Sequence, residues 1–470
     1  MPPKSKKKPA SAPPPAPMAL GAGAQPPPTP VIVMHGGPAS NLLDLYLTTP
    51  DQVFTLSRGT LNLPSQHKLY DRLPFHPDDE LITLNTTGKT ITPARLAAIN
   101  AFYLPYEDLV EALKINIGSP DDPAPVFPIA YDWRFDSLSS VPVLQNFIAE
   151  VLRIVAKLPQ YKKAPPTKVD IVAHSFGGLV TARYLRWCQR QNPPIATKVR
   201  KVVTIATPFR GAVEAVHTMI KDNEQREAIR TLPAAYGLFP YFPGACVDIS
   251  QPQQPASNVD LISDLTLWNG SSVVRSVERY CQKLESQTTG AARFEQLRAG
   301  ADAQRNDLAA LDVRAAVGSP DNWLPIVAFG QDTHIQVQIV GRKPDPEFDF
   351  RKANKDDDTG DNTVPFLGAI PPFNLATGAG GSPTPKERLV GIVKGDASFG
   401  EFTDFFGAAS GLGLSSLHSF LPRMDAVQAI VFGFLRDVRP NFRTKAHPVP
   451  GVRGQNVTWP DGWNLIPVDL

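Results

Sequence analysis

Apolar residues in this chain gather into short runs separated by longer stretches of helical spacing, and that rhythm predicts the architecture. Val31-Ile32-Val33-Met34 is one apolar run; Val126 to Tyr131, Val169 to Val172, Val199 to Ile205 and Leu324 to Phe329 are others. Runs this short, bounded by turn residues, suit strands buried on both faces of a parallel sheet. Between them, Val141 to Leu158 and the stretch from Gly178 to Arg186 repeat apolar residues every three or four positions, as a helix with one buried face does. Further strands are expected at His334 to Val340 and Leu389 to Val393, and a closing helix at Val427 to Leu435. Strand and helix in alternation predict an α/β fold with a doubly wound, mostly parallel sheet. Its ligand site is then expected along the carboxyl ends of the strands.

The rhythm fails in several places, which divides the chain. Residues 1–30 hold eleven prolines with lysine, alanine and glycine, too little apolar surface to offset the entropy of ordering. They read as a disordered, partly polyproline II tail, with a proline-binding partner or an anionic surface as the functional alternative. The first half of the core is expected at 31–211, with an irregular insertion at 45–125. Residues 212–324 read as a helical cap, 325–440 as the second half of the core, and 441–470 as a tail pinned by Trp459 and Trp463. Within the cap, Leu232 to Pro243 is apolar and proline-broken, so regular helix is not expected there. It is either an aromatic plug on the core or, through Tyr236 and Phe239, part of an acyl-binding wall.

Composition narrows the classes. The 470 residues exceed one ordinary domain, and a formal charge of +2 gives no field that argues for nucleic acid. Three cysteines (Cys188, Cys246, Cys281) show no paired spacing, so neither a disulfide framework, a zinc site nor any other cofactor is signalled. No apolar run is long enough to span a bilayer and no convincing signal peptide is present. A cytoplasmic location is expected, with leaderless export left open and any membrane contact peripheral. Oligomeric state is not legible.

The candidate chemistry lies at 169–180, where the apolar run ends in Ala173-His174-Ser175-Phe176-Gly177 and turns helical. A strand that reverses into a helix within a few residues forces its apex residue into a strained conformation, and small residues two before and two after Ser175 make room for it. This is a nucleophile elbow with alanine in place of the usual first glycine. A serine hydroxyl needs a histidine to take its proton and a carboxylate to orient that histidine. In this architecture the order is Ser, acid, His. Asp361 is the expected acid, in Gly360-Asp361-Asn362-Thr363-Val364-Pro365, ahead of the acidic run Asp356 to Asp358. His418 is the expected base, in a loop before the last helix, ahead of His174, His334 and His447. The oxyanion donors are expected to be the amides of Phe176 and Gly37, and His35, Gly36 and Trp133 are expected to line the substrate together with Tyr236 and Phe239.

These pieces resemble the lecithin:cholesterol acyltransferase family of α/β-hydrolases, which includes phospholipase A-type enzymes and plant phospholipid:diacylglycerol acyltransferases. The carriers are Gly36 to Leu42 with Ser40, Tyr131-Asp132-Trp133-Arg134, the elbow, Ala206-Thr207-Pro208-Phe209-Arg210-Gly211, Leu232 to Tyr236, Gly360 to Pro365 and His418. The resemblance runs from about 31 to 436 and implies an acyl-enzyme on Ser175 and ester-linked lipid substrates. It also implies that Asp132 to Arg134 shape the site; read from the residues, Trp133 is equally a core anchor with Arg134 paired. Asn362 stands where the family has glycine and His35 where it has proline, and the early cysteine pair is absent. Three functions follow as expectations: a serine esterase or lipase on lipid-like esters, an acyltransferase to an alcohol or sterol, or an inactive hydrolase scaffold used for binding.

Overall fold

The structure is a computed structural model and describes residues 27–44, 51–54, 96–101, 103–220, 229–251, 253–283, 288–342, 345–353, 359–375, 389–398, 400–401, 416–438, 457–458 and 464–465. Residues 1–26 of the tail expected at 1–30, the rival acids Asp356 to Asp358, His447 and the two tail tryptophans lie outside the described residues.

The chain begins with β1 (Val31–Met34), β2 (Ser40–Asp44), β3 (Asp51–Phe54), β4 (Leu96–Ala101), α1 (Tyr103–Ile117), β5 (Val126–Ile129), α2 (Val141–Val155), β6 (Val169–His174), α3 (Phe176–Arg190) and β7 (Val199–Ile205). It continues with α4 (Val213–Ile220), α5 (Pro233–Gly237), β8 (Cys246–Asp248), β9 (Ser257–Asn258), α6 (Ser272–Lys283) and α7 (Gly290–Ala309). Then come β10 (Trp323–Ala328), β11 (His334–Gly341), β12 (Glu347–Lys352), β13 (Val390–Ile392), α8 (Leu417–Phe420) and α9 (Asp425–Leu435). Six strands form one sheet in the order β13-β10-β7-β6-β1-β5, every neighbouring pair parallel.

Side chains along these strands alternate between two apolar layers. Ile32, Met34, Ile171 and Ala173 pack with residues of α2 and α3 on one face, while Val31, Val33, Val172 and Ile205 pack with residues of α1 and α9 on the other. A parallel sheet covered by helices on both faces is the α/β-hydrolase arrangement expected from the sequence. Register places Met34 beside Ala173, so the loops leaving β1 and β6 begin level with each other at the carboxyl edge.

Three departures from the sequence expectations have physical causes. The 45–125 segment is not irregular where it is described. β2, β3 and β4 form an antiparallel three-stranded sheet, and α1 buries Tyr106, Leu109, Val110 and Leu113, a helical spacing that Pro105 does not break because a proline in the first turn forgoes no intrahelical bond. In the 212–324 segment the helices are joined by β8 and β9, which pair with β11 and β12 in a second sheet of order β12-β11-β8-β9. His334–Val340 is therefore a strand as the pattern predicts, but not one beside β10. Finally, Leu232 to Pro243 does contain a helical turn, α5, with Pro233 at its first position.

Candidate active site

Ser175 leaves β6 at φ 51°, ψ −125°, a conformation that a side chain adopts only under strain. Its amide donates to Ile205 C=O (2.8 Å), and its own carbonyl accepts from Gly178 N–H (3.0 Å), so the apex is held from both sides. The glycine that follows is required by space. A Cβ on Gly177 would lie 2.5 Å from the His35 carbonyl oxygen, and one on Gly178 only 1.9 Å from Thr207 Oγ1. The loop after β1 presses on the same serine: a Cβ on Gly36 would lie 2.8 Å from Ser175 Cβ and 3.3 Å from its Oγ. Gly37 sits between Trp133 and Phe176, with positions for a Cβ 3.6 Å and 3.9 Å from theirs.

Three residues separated by as much as 243 positions meet at Ser175. Ser175 Oγ–H donates to His418 Nε2 at 2.9 Å, and His418 Nδ1–H donates to Asp361 Oδ2 at 2.7 Å. Asp361 is 1 % exposed. Its second oxygen, Oδ1, accepts from the amides of Thr363 (3.0 Å) and Val364 (2.7 Å), and its own C=O accepts from His418 N–H (3.0 Å). The turn that aims Asp361 passes through Asn362 at φ 77°. That left-handed conformation accounts for how asparagine, which tolerates it, stands where glycine was expected. His418 rides on α8, whose first turn is capped by the Ser416 side chain accepting from Ser419 N–H (3.3 Å).

A second chain of hydrogen bonds, absent from the sequence expectations, runs behind this one. Tyr106 OH accepts from Gly36 N–H (2.7 Å) and donates to His174 Nδ1 (2.7 Å), and His174 Nε2–H donates to His418 C=O (2.9 Å). Burial holds His174 well below the usual histidine range, with the neighbouring His418 adding to the shift. Burial likewise pushes the Tyr106 phenol up. Both are therefore neutral near pH 7, which is the state this donor order needs. Because Gly36 N–H is committed to Tyr106, the next free amide along the loop is that of Gly37. The Tyr106 signal was present in the sequence as the apolar spacing Tyr106, Leu109, Val110, Leu113, but it lay inside a stretch without other regularity.

The remaining expected site residues divide. Trp133 lies against Gly37, donates its Nε1–H to Ser40 C=O (3.2 Å), and also belongs to the sheet-face core. Arg134 is paired with Asp132 at 2.7 Å. His35 does not face a substrate. It is 1 % exposed, stacked on Tyr131 with ring centroids 4.1 Å apart, and desolvation lowers its pKa to about 4. Tyr236 and Phe239 pack as the aromatic plug that is the other reading of their segment. Each is 1 % exposed and packs with Trp268 and Phe294 in an apolar core beneath the second sheet, because Tyr236 OH can satisfy itself on Arg230 C=O (2.8 Å) without reaching water. Among the described residues one other constellation, Glu214, His217 and His334, has metal-ligand chemistry, and it lies outside this site.

The sequence profile of the lecithin:cholesterol acyltransferase family matches residues 93–243, a span that holds Tyr106, Asp132 to Arg134, the elbow and Leu232 to Tyr236. No curated protein matches the sequence. Among solved structures the chain is similar to one described as the Tle4–Tli4 complex, at 15 % identity and a TM-score of 0.47, over 77 % of this chain and 94 % of that one. It is also similar to phospholipase PlaB from Legionella pneumophila at 8 % identity and a TM-score of 0.25, over 69 % of this chain and half the length of PlaB (50 %).

Proposed function

We propose, from the match of residues 93–243 to the lecithin:cholesterol acyltransferase family, that the chain is an α/β-hydrolase of that kind and cleaves carboxylic esters of lipid-like substrates through an acyl-enzyme on Ser175. The observation that carries the proposal is the continuous line Ser175 Oγ, His418 Nε2, His418 Nδ1, Asp361 Oδ2, with steps of 2.9 Å and 2.7 Å. In the reaction, Ser175 Oγ attacks the ester carbonyl as its proton passes to His418 Nε2, and Asp361 stabilises the imidazolium so formed. The amides of Gly37 and Phe176 receive the oxyanion. His418 then returns the proton to the alcohol that leaves, and a water activated by the same imidazole releases the acid. No metal enters these steps.

Trp133 and Gly36 floor the site in this reading, and the layer built on α4 to α7 with the second sheet serves as a cap over the carboxyl edge. Acyl transfer to an alcohol or sterol is the second reading, supported by the family name; it differs only in which acceptor reaches the acyl-enzyme. No described helix is long and apolar enough to cross a membrane, so lipid would be met at a surface or as dispersed substrate. The test is labelling with a fluorescent fluorophosphonate followed by a chain-length series of nitrophenyl esters, with Ser175→Ala alongside. Labelling confined to the serine-containing chain, turnover lower by roughly three to six powers of ten in Ser175→Ala, and a preference for long acyl chains are expected. Equal turnover by Ser175→Ala would end the proposal. Adding alcohols and measuring the ratio of acid to ester product separates hydrolysis from transfer.

A further inference from the structure

Glu214 and His217 stand three residues apart on α4 and so share a face of that helix, and His334, at the start of β11, closes on them. His217 Nδ1 is 3.0 Å from Glu214 Oε1 and His334 Nδ1 is 2.7 Å from Glu214 Oε2. The imidazole centroids are 4.4 Å apart, and one donor atom from each residue falls within 4.8 Å of the others. Phe350 of β12 packs against both rings, at 4.8 Å and 5.9 Å between centroids, and limits their rotation. The histidine side chains are 15 % and 14 % exposed and the carboxylate 34 %, so the group is walled on its protein side and open to water on the other. The acyl chemistry proposed above makes no use of it.

A carboxylate holding two imidazoles by hydrogen bonds alone would account for the distances but not for the choice of residues. Two imidazole nitrogens and one carboxylate oxygen are a donor set that borderline transition metals take, whereas magnesium and calcium select oxygen. Zinc binds such donors at about 2.0–2.2 Å in tetrahedral geometry, which sets neighbouring donor atoms roughly 3.3 Å apart. The 2.7 Å and 3.0 Å contacts run to different oxygens of Glu214, and with one donor atom of each residue within 4.8 Å of the others, side-chain rotation brings the three to that spacing.

We propose that Glu214, His217 and His334 form a zinc site, completed by a water from the open side, that ties α4 to the second sheet. Its position gives it reach. Thr333, the residue before His334, accepts a hydrogen bond from Asn362 N–H (2.9 Å), and Asp332 C=O accepts from Asn362 Nδ2 (3.0 Å), so an ion here braces the turn that aims Asp361. The site stands whether or not the acyl chemistry does, because its test reads metal directly.

The full chain, stripped with a chelator, is titrated with zinc chloride while bound metal is counted by mass spectrometry and affinity by calorimetry; cobalt(II) serves as an absorbing substitute. One zinc per chain, the absorption of four-coordinate cobalt, and a melting temperature that rises with free zinc are expected. His217→Ala and His334→Ala should each weaken binding at least about tenfold, with circular dichroism showing that they fold. Glu214→Gln, which keeps the helix and a hydrogen-bonding group but loses the anion, should weaken it too and decides the matter if the histidine variants do not fold. Failure of the unaltered chain to take up one zinc would overturn the proposal, as would stoichiometric uptake that survives all three substitutions.

Discussion

The carboxylates of Asp361 and Glu214 both face a histidine Nδ1 at 2.7 Å, but their surroundings give the two pairs different chemistry. Asp361 is almost wholly buried, and two backbone amides occupy its second oxygen, leaving one imidazole whose far nitrogen meets a serine hydroxyl. Glu214 is about one-third exposed, and its second oxygen meets a second imidazole instead of backbone. In the first arrangement a proton has somewhere to come from and a carboxylate to balance the cation it creates. In the second, the Thr218 hydroxyl donates to the carboxylate itself (3.4 Å), and three donors converge on a point that water can reach. A histidine beside a carboxylate therefore has no function of its own; the atoms on the far side of each partner decide it.

The sharpest way to break that contrast is to neutralise each carboxylate in turn. Asp361→Asn should lower kcat by roughly four powers of ten, since the amide favours the wrong tautomer of His418, whereas Glu214→Gln should cost less than about tenfold, as expected of a group remote from the reacting atoms. Steady-state kinetics on one long-chain ester measures both. Comparable losses in the two variants would mean that the distinction drawn from their surroundings is mistaken.

Much of the Asp361 arrangement was legible in the sequence because each part carries a local mark. The elbow needs small residues at fixed offsets from Ser175, the acid sits in a turn that needs a residue tolerant of a left-handed backbone, and the base precedes the last helix. The Glu214 arrangement carried none, because its partners come from a helix and a strand more than a hundred residues apart and only the second sheet brings them together. The same reason hid β8 and β9: strands of three and two residues have too little pattern to register, and they exist only because β11 lies alongside. Tyr236 and Phe239 show the converse case, in which apolar character was visible but the choice between a core plug and an acyl-binding wall was not.

A second test uses an imidazole that has no carboxylate at all. Desolvation holds the pKa of His35 at about 4 in the folded protein, against about 6.5 in an unfolded chain. Above pH 6.5 the residue is neutral in both states and costs nothing. As pH falls from 6.5 towards 4, the unfolded chain takes up a proton that the folded chain refuses, so stability should drop by about 3 kcal/mol from this residue, and His174, shifted in the same direction by burial, adds to the loss. Denaturant midpoints at pH 7 and pH 4.5 measure it, and His35→Gln should lose less across that range than the unaltered chain. Equal losses would remove His35 from the account.

A modest effect is expected at the link between the two loops that meet at Ser175. Tyr106→Phe removes the acceptor for Gly36 N–H and the donor to His174 while leaving the ring in place. A lost buried hydrogen bond of this kind is worth about 1–3 kcal/mol, and kcat should fall roughly tenfold with KM little changed, because the phenol positions the loops and touches no substrate. A KM effect without a kcat effect would instead assign Tyr106 to binding.

The crowding around Ser175 has a consequence for how this protein can change over generations. Gly36, Gly177 and Gly178 each abut a different neighbour, namely the serine itself, the His35 carbonyl and the Thr207 hydroxyl. Methyl groups at the second and third would meet backbone or a branched side chain that cannot swing aside. Drift through ordinary single replacements is thus closed at these positions, and Gly178 becomes open only in a lineage that has first reduced Thr207. The elbow is inherited as a block or lost as one, while the solvent-facing residues of the helix that follows it are free to wander.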